Sequence, residues 1–173
     1  AQIPAILASS DWELIEIPLR GLAELDHPSA APLVAAQFSQ PWRAERFARG
    51  LVAYYRAFPE LVDDDAALGL ARLASGAAPV DVKLEVLAAL PDVAPRLASL
   101  RRALEPVIAS GPLELREAAQ AALAILGDRS ARRALLEPYD AAVDGGKHRP
   151  EPWARRADVL LRIRDHGSAI RDY

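Results

Sequence analysis

Residues 79–90 read PVDVKLEVLAAL and residues 112–123 read PLELREAAQAAL, one phrase written twice, 33 positions apart. Each copy opens on proline, runs through apolar, acidic and basic residues, and closes on Ala-Ala-Leu. Self-similarity at a fixed period of about 20–50 residues marks a stacked-repeat architecture. Arrays of this kind usually supply a binding surface rather than a reaction centre.

The apolar positions of the second copy are Leu115, Ala118, Ala119, Ala122, Leu123 and Leu126. That i, i+3, i+4, i+7, i+8, i+11 spacing is one face of an α-helix. Gly127-Asp128 follows, and glycine is the usual helix stop. Moved back by 33, the stripe falls on Val82, Val86, Ala89, Leu90 and Val93, with Glu85 the one mismatch. Moved back a further 38, it gives Ala44, Phe47, Ala48, Leu51, Val52 and Tyr55. Leu14, Ile17, Leu22 and Leu25 form a weaker first copy, in which Pro18 predicts a kink. Moved forward, it meets Trp153, Ala157, Leu160 and Leu161.

Partner helices are expected over 28–38, 60–74, 95–109 and 130–143. Two of them echo each other, SLRRALEPV (99–107) and SARRALLEPY (130–139), with Pro106 and Pro138 at matching places. A proline inside a helix costs about 3 kcal/mol, so the matched pair predicts a repeated bend. The expectation is an all-α chain: an α-solenoid of four to five stacked antiparallel helix pairs.

Composition agrees with that class. Of the residues 51% are hydrophobic, much of that alanine and leucine, and only 6% are aromatic, which favours helices over strands. The absence of cysteine excludes disulfides, thiolate metal sites and cysteine nucleophiles. The net charge of −3 argues against a binder that works by neutralising phosphates. Charge is uneven, however. Residues 1–128 hold 11 Lys/Arg against 17 Asp/Glu, and residues 129–173 hold 10 against 7, so a basic end joins an acidic body. No apolar run approaches the roughly 20 residues of a membrane span.

Within this pattern, LREAAQAALAILGD (115–128) followed by RSARRALLEP is similar to HEAT-type repeats, particularly the short variety of the bilin-lyase-like bacterial group. The match rests on Arg116, Ala118-Ala119, Ala122, Leu123, Leu126, Gly127 and Asp128, with Lys83 in place of the arginine one copy earlier. It is specific over 79–143 and loose over 1–60. The resemblance implies that Lys83 and Arg116 pair with acids in the turns, forming a structural ladder; the alternative is a basic strip presented to an acidic ligand. The resemblance also implies that the second helix of each pair lines a concave surface.

A second resemblance begins at Pro152. PWARRADVLLRIRDHGSAIRDY looks like the opening of a tetratricopeptide repeat, with Trp153, Ala157, Leu160, Asp165, Ala169 and Tyr173 at its motif positions. Arg156 departs from the motif, which takes an apolar residue there. Such a repeat needs about 34 residues, so the chain reads as a fragment of a longer parent; the alternative reading is a last HEAT-like pair serving as a cap. The expected organisation is a HEAT-like array over 1–143, a polar linker over 144–152, and a tetratricopeptide-like start over 153–173.

No arrangement reads as catalytic, and no cofactor or metal is implied. His27, His148 and His166 stand apart in turn-like contexts, without metal-ligand spacing. Asp63-Asp64-Asp65 precedes AALGLARLA and reads as a helix start, where acids meet the positive end of the helix dipole. Trp12, Trp42 and Trp153 lie near helix starts and read as packing residues. Ser9, Ser10 and Ser39 have no His-Asp arrangement nearby, and there is no glycine-rich phosphate loop.

The sequence therefore points to a non-catalytic scaffold that binds a protein or peptide. The candidate contact residues are Arg46, Arg49, Glu117, Gln120 and Arg155, all off the apolar stripe. The rival class is an enzyme or enzyme subunit, because the repeat types resembled include chromophore lyases and glycosylases of alkylated DNA bases.

Overall fold

Helix starts in this chain are set by proline and aspartate. Proline fixes φ near the helical value and lacks the N–H that the first turn would leave unpaired. An N-cap carboxylate instead accepts one of the orphan N–H groups. A computed structural model of the chain describes residues 19, 21–24, 27–93, 97–146 and 149–173, and in it these signals open most of the helices.

The order is α1 (Ala31–Ala35), α2 (Pro41–Arg46), α3 (Ala48–Ala57), α4 (Asp64–Ser75), α5 (Val80–Val93) and α6 (Leu97–Ser110). After these come α7 (Leu113–Ile125), α8 (Arg129–Gly145), α9 (Pro150–Arg162) and α10 (His166–Asp172). Single 3-10 turns occupy Pro28–Ala30, Ala36–Ser39 and Pro59–Leu61. No strand occurs among the described residues, and the protein is all-α.

Several expected boundaries move for local reasons. The helix expected over 28–38 is broken into a 3-10 turn, α1 and a second 3-10 turn. Val62 is extended (φ −80°, ψ 107°), which ends the segment that starts at Pro59. Helix α4 then restarts behind Asp63, whose side chain accepts from Ala66 N at 2.8 Å. The polar linker shrinks from both sides, since α8 runs on to Gly145 and Pro150 already begins α9. Helices α6 and α8 are continuous through Pro106 and Pro138.

The apolar stripe is the core. Val82, Val86, Ala89, Leu90 and Val93 of α5 are buried, as are Ala44, Phe47, Ala48, Leu51, Val52 and Tyr55 across α2 and α3. On α7, Leu115, Ala119, Ala122 and Leu123 are buried. Of the weaker first copy, Leu22 is buried, whereas Leu14, Ile17, Pro18 and Leu25 lie outside the described residues. Leu19 packs so closely on Gly50 that a Cβ there would lie 2.8 Å from the Leu19 Cβ. An aromatic group closes this end. Tyr54 packs edge-on against Tyr55 and donates to the carbonyls of His27 and Pro28, both at 3.2 Å.

Neighbour relations follow chain order. Helix α5 lies against α3, α4 and α7; α6 lies against α4 and α7; α8 lies between α7 and α9; α10 packs on α9. Two hydrophobic clusters result. Leu115, Ala119 and Leu123 of α7 belong to the larger one, which reaches back to Leu19. Ala121 of α7 joins a smaller one with Leu135, Leu136, Ala157, Leu160, Ile163 and Ala169, against which Ala124 and Ile125 also pack. Helix α7 is thus the seam between two cores.

Candidate interaction surface

The turn after α7 and the turn after α9 are built alike. Gly127 (φ 96°) and Arg164 (φ 63°) are both left-handed, a conformation common one residue past a helix end. Gly127 N donates to Ala124 O and Arg164 N to Leu161 O; Asp128 N donates to Leu123 O and Asp165 N to Leu160 O. The two aspartates then cap the following helices. Asp128 accepts from Ser130 N at 2.9 Å and Ala131 N at 3.0 Å, and Asp165 accepts from Ser168 N at 3.1 Å. Each also receives an arginine, Arg101 of α6 at 2.9 Å and Arg132 of α8 at 2.6 Å. Burial alone would raise both carboxyls, but the hydrogen bonds and arginine charges outweigh it and hold both below the ordinary range.

This ladder corrects the pairing implied by the resemblance. Arg116 does not supply it: its Nε is buried without a hydrogen-bond partner. Lys83 lines a small groove of about 180 Å³ with Pro106, Pro112 and Leu115. The turn acids are taken by Arg101 and Arg132, which hold the same place in the echoed phrases SLRRAL and SARRAL.

The five candidate contact residues fall in three places. Arg46 and Arg49 are exposed and line a groove of about 310 Å³ with Glu45, Pro79 and Val82. Arg49 is tied to Asp81 and, at 3.3 Å, to Glu85, so it bridges α3 and α5. Beside it Glu45 accepts from Ala77 N at 2.7 Å. Gln120 is half-buried on α7. Glu117 faces inward: its side chain is 27% exposed and meets Arg162 and the Tyr139 hydroxyl, both at 3.5 Å. Arg155 is exposed on α9 and lines a cleft of about 750 Å³ with Pro138, Tyr139, Ala142, Arg149 and Pro152.

Arg156, the departure from the tetratricopeptide motif, has its own structural use. It donates to both carboxylate oxygens of Asp172, at 2.6 and 2.7 Å, and to Asp140 at 3.0 Å. Its guanidinium lies 4.9 Å from the centre of the Trp153 ring. The Asp172 hydrogen bonds outweigh burial and hold it protonated more firmly than an ordinary arginine. A charged residue where an apolar one was expected was the available signal for this network.

Trp42 corrects a packing expectation. It is 55% exposed, because at the second position of α2 it points away from the stripe of Ala44, Phe47 and Ala48. Trp153 is half-buried, and Trp12 lies outside the described residues. Asp63 serves as the N-cap of α4, with Asp64 and Asp65 in its first turn. His27 and His166 are exposed beside helix starts, and His148 lies outside the described residues, as do Ser9 and Ser10. Among the described residues no group of three or more His, Cys, Asp or Glu could hold a metal ion. Nor is any helix long and apolar enough to cross a membrane. No protein-family model, curated protein or solved structure matches this chain.

Proposed function

We propose that the chain is a HEAT-like helical-repeat module, passing into a tetratricopeptide-like pair, that holds a protein or peptide partner on the face formed by the second helices. The observation that carries this reading is the duplicated turn: left-handed residue, capping aspartate and incoming arginine recur at Gly127-Asp128 with Arg101 and at Arg164-Asp165 with Arg132. Such recurrence is what an array of like units requires, each fixing the next through the same bonds.

The contact residues in this reading are Arg46, Arg49, Gln120 and Arg155; Glu117 is left out because its side chain, 27% exposed, is turned to Arg162 and Tyr139, whereas Arg49 keeps 43% of its side chain exposed beside Asp81 and Glu85. The test is recovery of partners from native extract by the parent chain and by a variant carrying Ala at those four positions, with bound protein identified by mass spectrometry. Thermal unfolding of the variant guards against simple loss of fold. A stoichiometric protein bound by the parent and lost by the folded variant supports the reading. A partner retained undiminished by the variant removes this face from consideration. Bound pigment or nucleic acid in place of protein would favour the enzyme class.

A further inference from the structure

Among the described residues Arg164 is the one non-glycine with positive φ, at 63°. The corresponding position one turn earlier is a glycine, Gly127. Left-handed backbone crowds a Cβ, so a long side chain here needs a reason. The reason on view is Asp92. Arg164 Nη2 lies 2.5 Å from Asp92 Oδ1, at the end of α5 and 72 residues upstream. The contact joins the end of α5, whose Val93 is in the larger cluster, to the turn after α9, whose Ile163 is in the smaller one. Both side chains are about half exposed, so salt can weaken the pair.

We propose that Arg164 and Asp92 form an electrostatic clasp that sets the angle between the α9–α10 unit and the body ending at α7, making this angle responsive to ionic strength. The unit reaches the rest of the chain chiefly through α8, and the small cluster it shares with α8 and one face of α7 is separate from the main core. Arg162–Glu117, at 3.5 Å, is a looser polar contact between the same parts. The clasp goes beyond the binding role proposed above and does not depend on it.

The chain has no cysteine, so labels can be placed at will. Glu105 on α6 and Ile170 on α10 are both exposed and, changed to cysteine, carry nitroxides for pulsed electron paramagnetic resonance on the full chain. The separation is measured at low salt and near 1 M salt, in the parent, Arg164→Gly and Asp92→Asn. The clasp predicts a longer, broader distribution in both variants than in the parent at low salt, and a smaller change on adding salt in the variants than in the parent, the remainder being that of Arg162–Glu117. An unchanged distribution in both variants overturns it. So does a change in Arg164→Gly alone, which would assign the angle to turn geometry. Circular dichroism verifies that each variant is folded.

Discussion

Arg132 on α8 meets the Asp165 carboxylate at the start of α10, 2.6 Å away, as Arg101 on α6 meets Asp128 at the start of α8, 2.9 Å away. The two members of each pair do unequal work. Asp128 is 5% exposed and accepts from two backbone N–H groups and the Ser130 hydroxyl, whereas the Arg101 side chain is 59% exposed. Asp128→Ala is therefore expected to destabilise by about 1–3 kcal/mol, a lost cap plus buried donors left unpaired. Arg101→Ala removes a solvent-screened partner while the other bonds to Asp128 persist, so its effect should stay near 1 kcal/mol. Urea unfolding of the two variants measures the order, and a larger loss for Arg101→Ala would contradict this division.

The same carboxylates make the fold acid-sensitive. Both are held below the ordinary range in the folded chain, so folding favours their ionised forms. Their stabilisation is complete above the unfolded value of about 3.9 and is lost as pH falls through the lower folded values. Stability contributed by these groups should be flat from neutral pH to about 5 and should decline below about 4. In Asp128→Asn that decline should be shallower than in the parent, as read from melting temperature against pH. A parallel decline would place the acid sensitivity elsewhere.

Burial of the stripe sets a third expectation. Leu123 lies fully inside the main cluster, so Leu123→Ala should cost about 2–5 kcal/mol through the cavity it leaves. Glu117→Ala, on the opposite side of α7, gives up a partly exposed ion pair and a long hydrogen bond and should cost no more than about 1 kcal/mol. Equal effects in chemical denaturation would mean that α7 is turned differently about its axis.

The stripe was legible because burial imposes helical period on composition, and Val82, Val86, Ala89 and Leu90 recur wherever a helix must face the core. The interruption at Phe47 was not, since Phe47 is apolar and on the stripe yet ends α2 by its backbone (φ −99°, ψ 13°). The arginine ladder was half visible. The echoed phrases place Arg101 and Arg132 alike, but their acid partners lie 27 and 33 residues away, beyond any local pattern. Glu117 read as an outer residue because it is off the stripe; Arg162 and Tyr139, from other helices, leave its side chain 27% exposed instead. Arg164 and Asp92 are joined only by the packing of intervening helices, which no local spacing encodes.

Two glycines resist a side chain for different reasons, Gly50 by close approach and Gly127 by its positive φ. A Cβ at Gly50 would press on Leu19 Cβ at 2.8 Å, an atom fixed to its own backbone, so Gly50→Ala must separate the two segments. A loss of about 1–3 kcal/mol is expected from that overpacking. Gly127→Ala meets open space but keeps φ at 96°, and strain alone should cost about 1–2 kcal/mol. Made in a Leu19→Gly background, which removes the opposing Cβ, Gly50→Ala should cost less than in the parent, whereas Gly127→Ala should cost the same, as a comparison of the double variants would reveal.

Arg156 offers the sharpest test of the α9–α10 unit. The Asp172 side chain is 5% exposed and takes two hydrogen bonds from the Arg156 guanidinium, which Asp140 and the Trp153 ring also hold. Removing the arginine alone strands a buried carboxylate, and breaking such a pair typically costs about 3–5 kcal/mol. Arg156→Leu should therefore be strongly destabilising even though it restores the apolar residue that the tetratricopeptide motif favours. Arg156→Leu with Asp172→Leu removes both charges and should regain most of the loss, because an apolar pair of similar volume avoids the desolvation penalty. The damage should also be local. Amide hydrogen exchange in Arg156→Leu is expected to lose protection across α9 and α10 while α4 and α5, buried in the separate main cluster, keep theirs. Uniform loss of protection from α4 to α10 would show that the two clusters unfold as one.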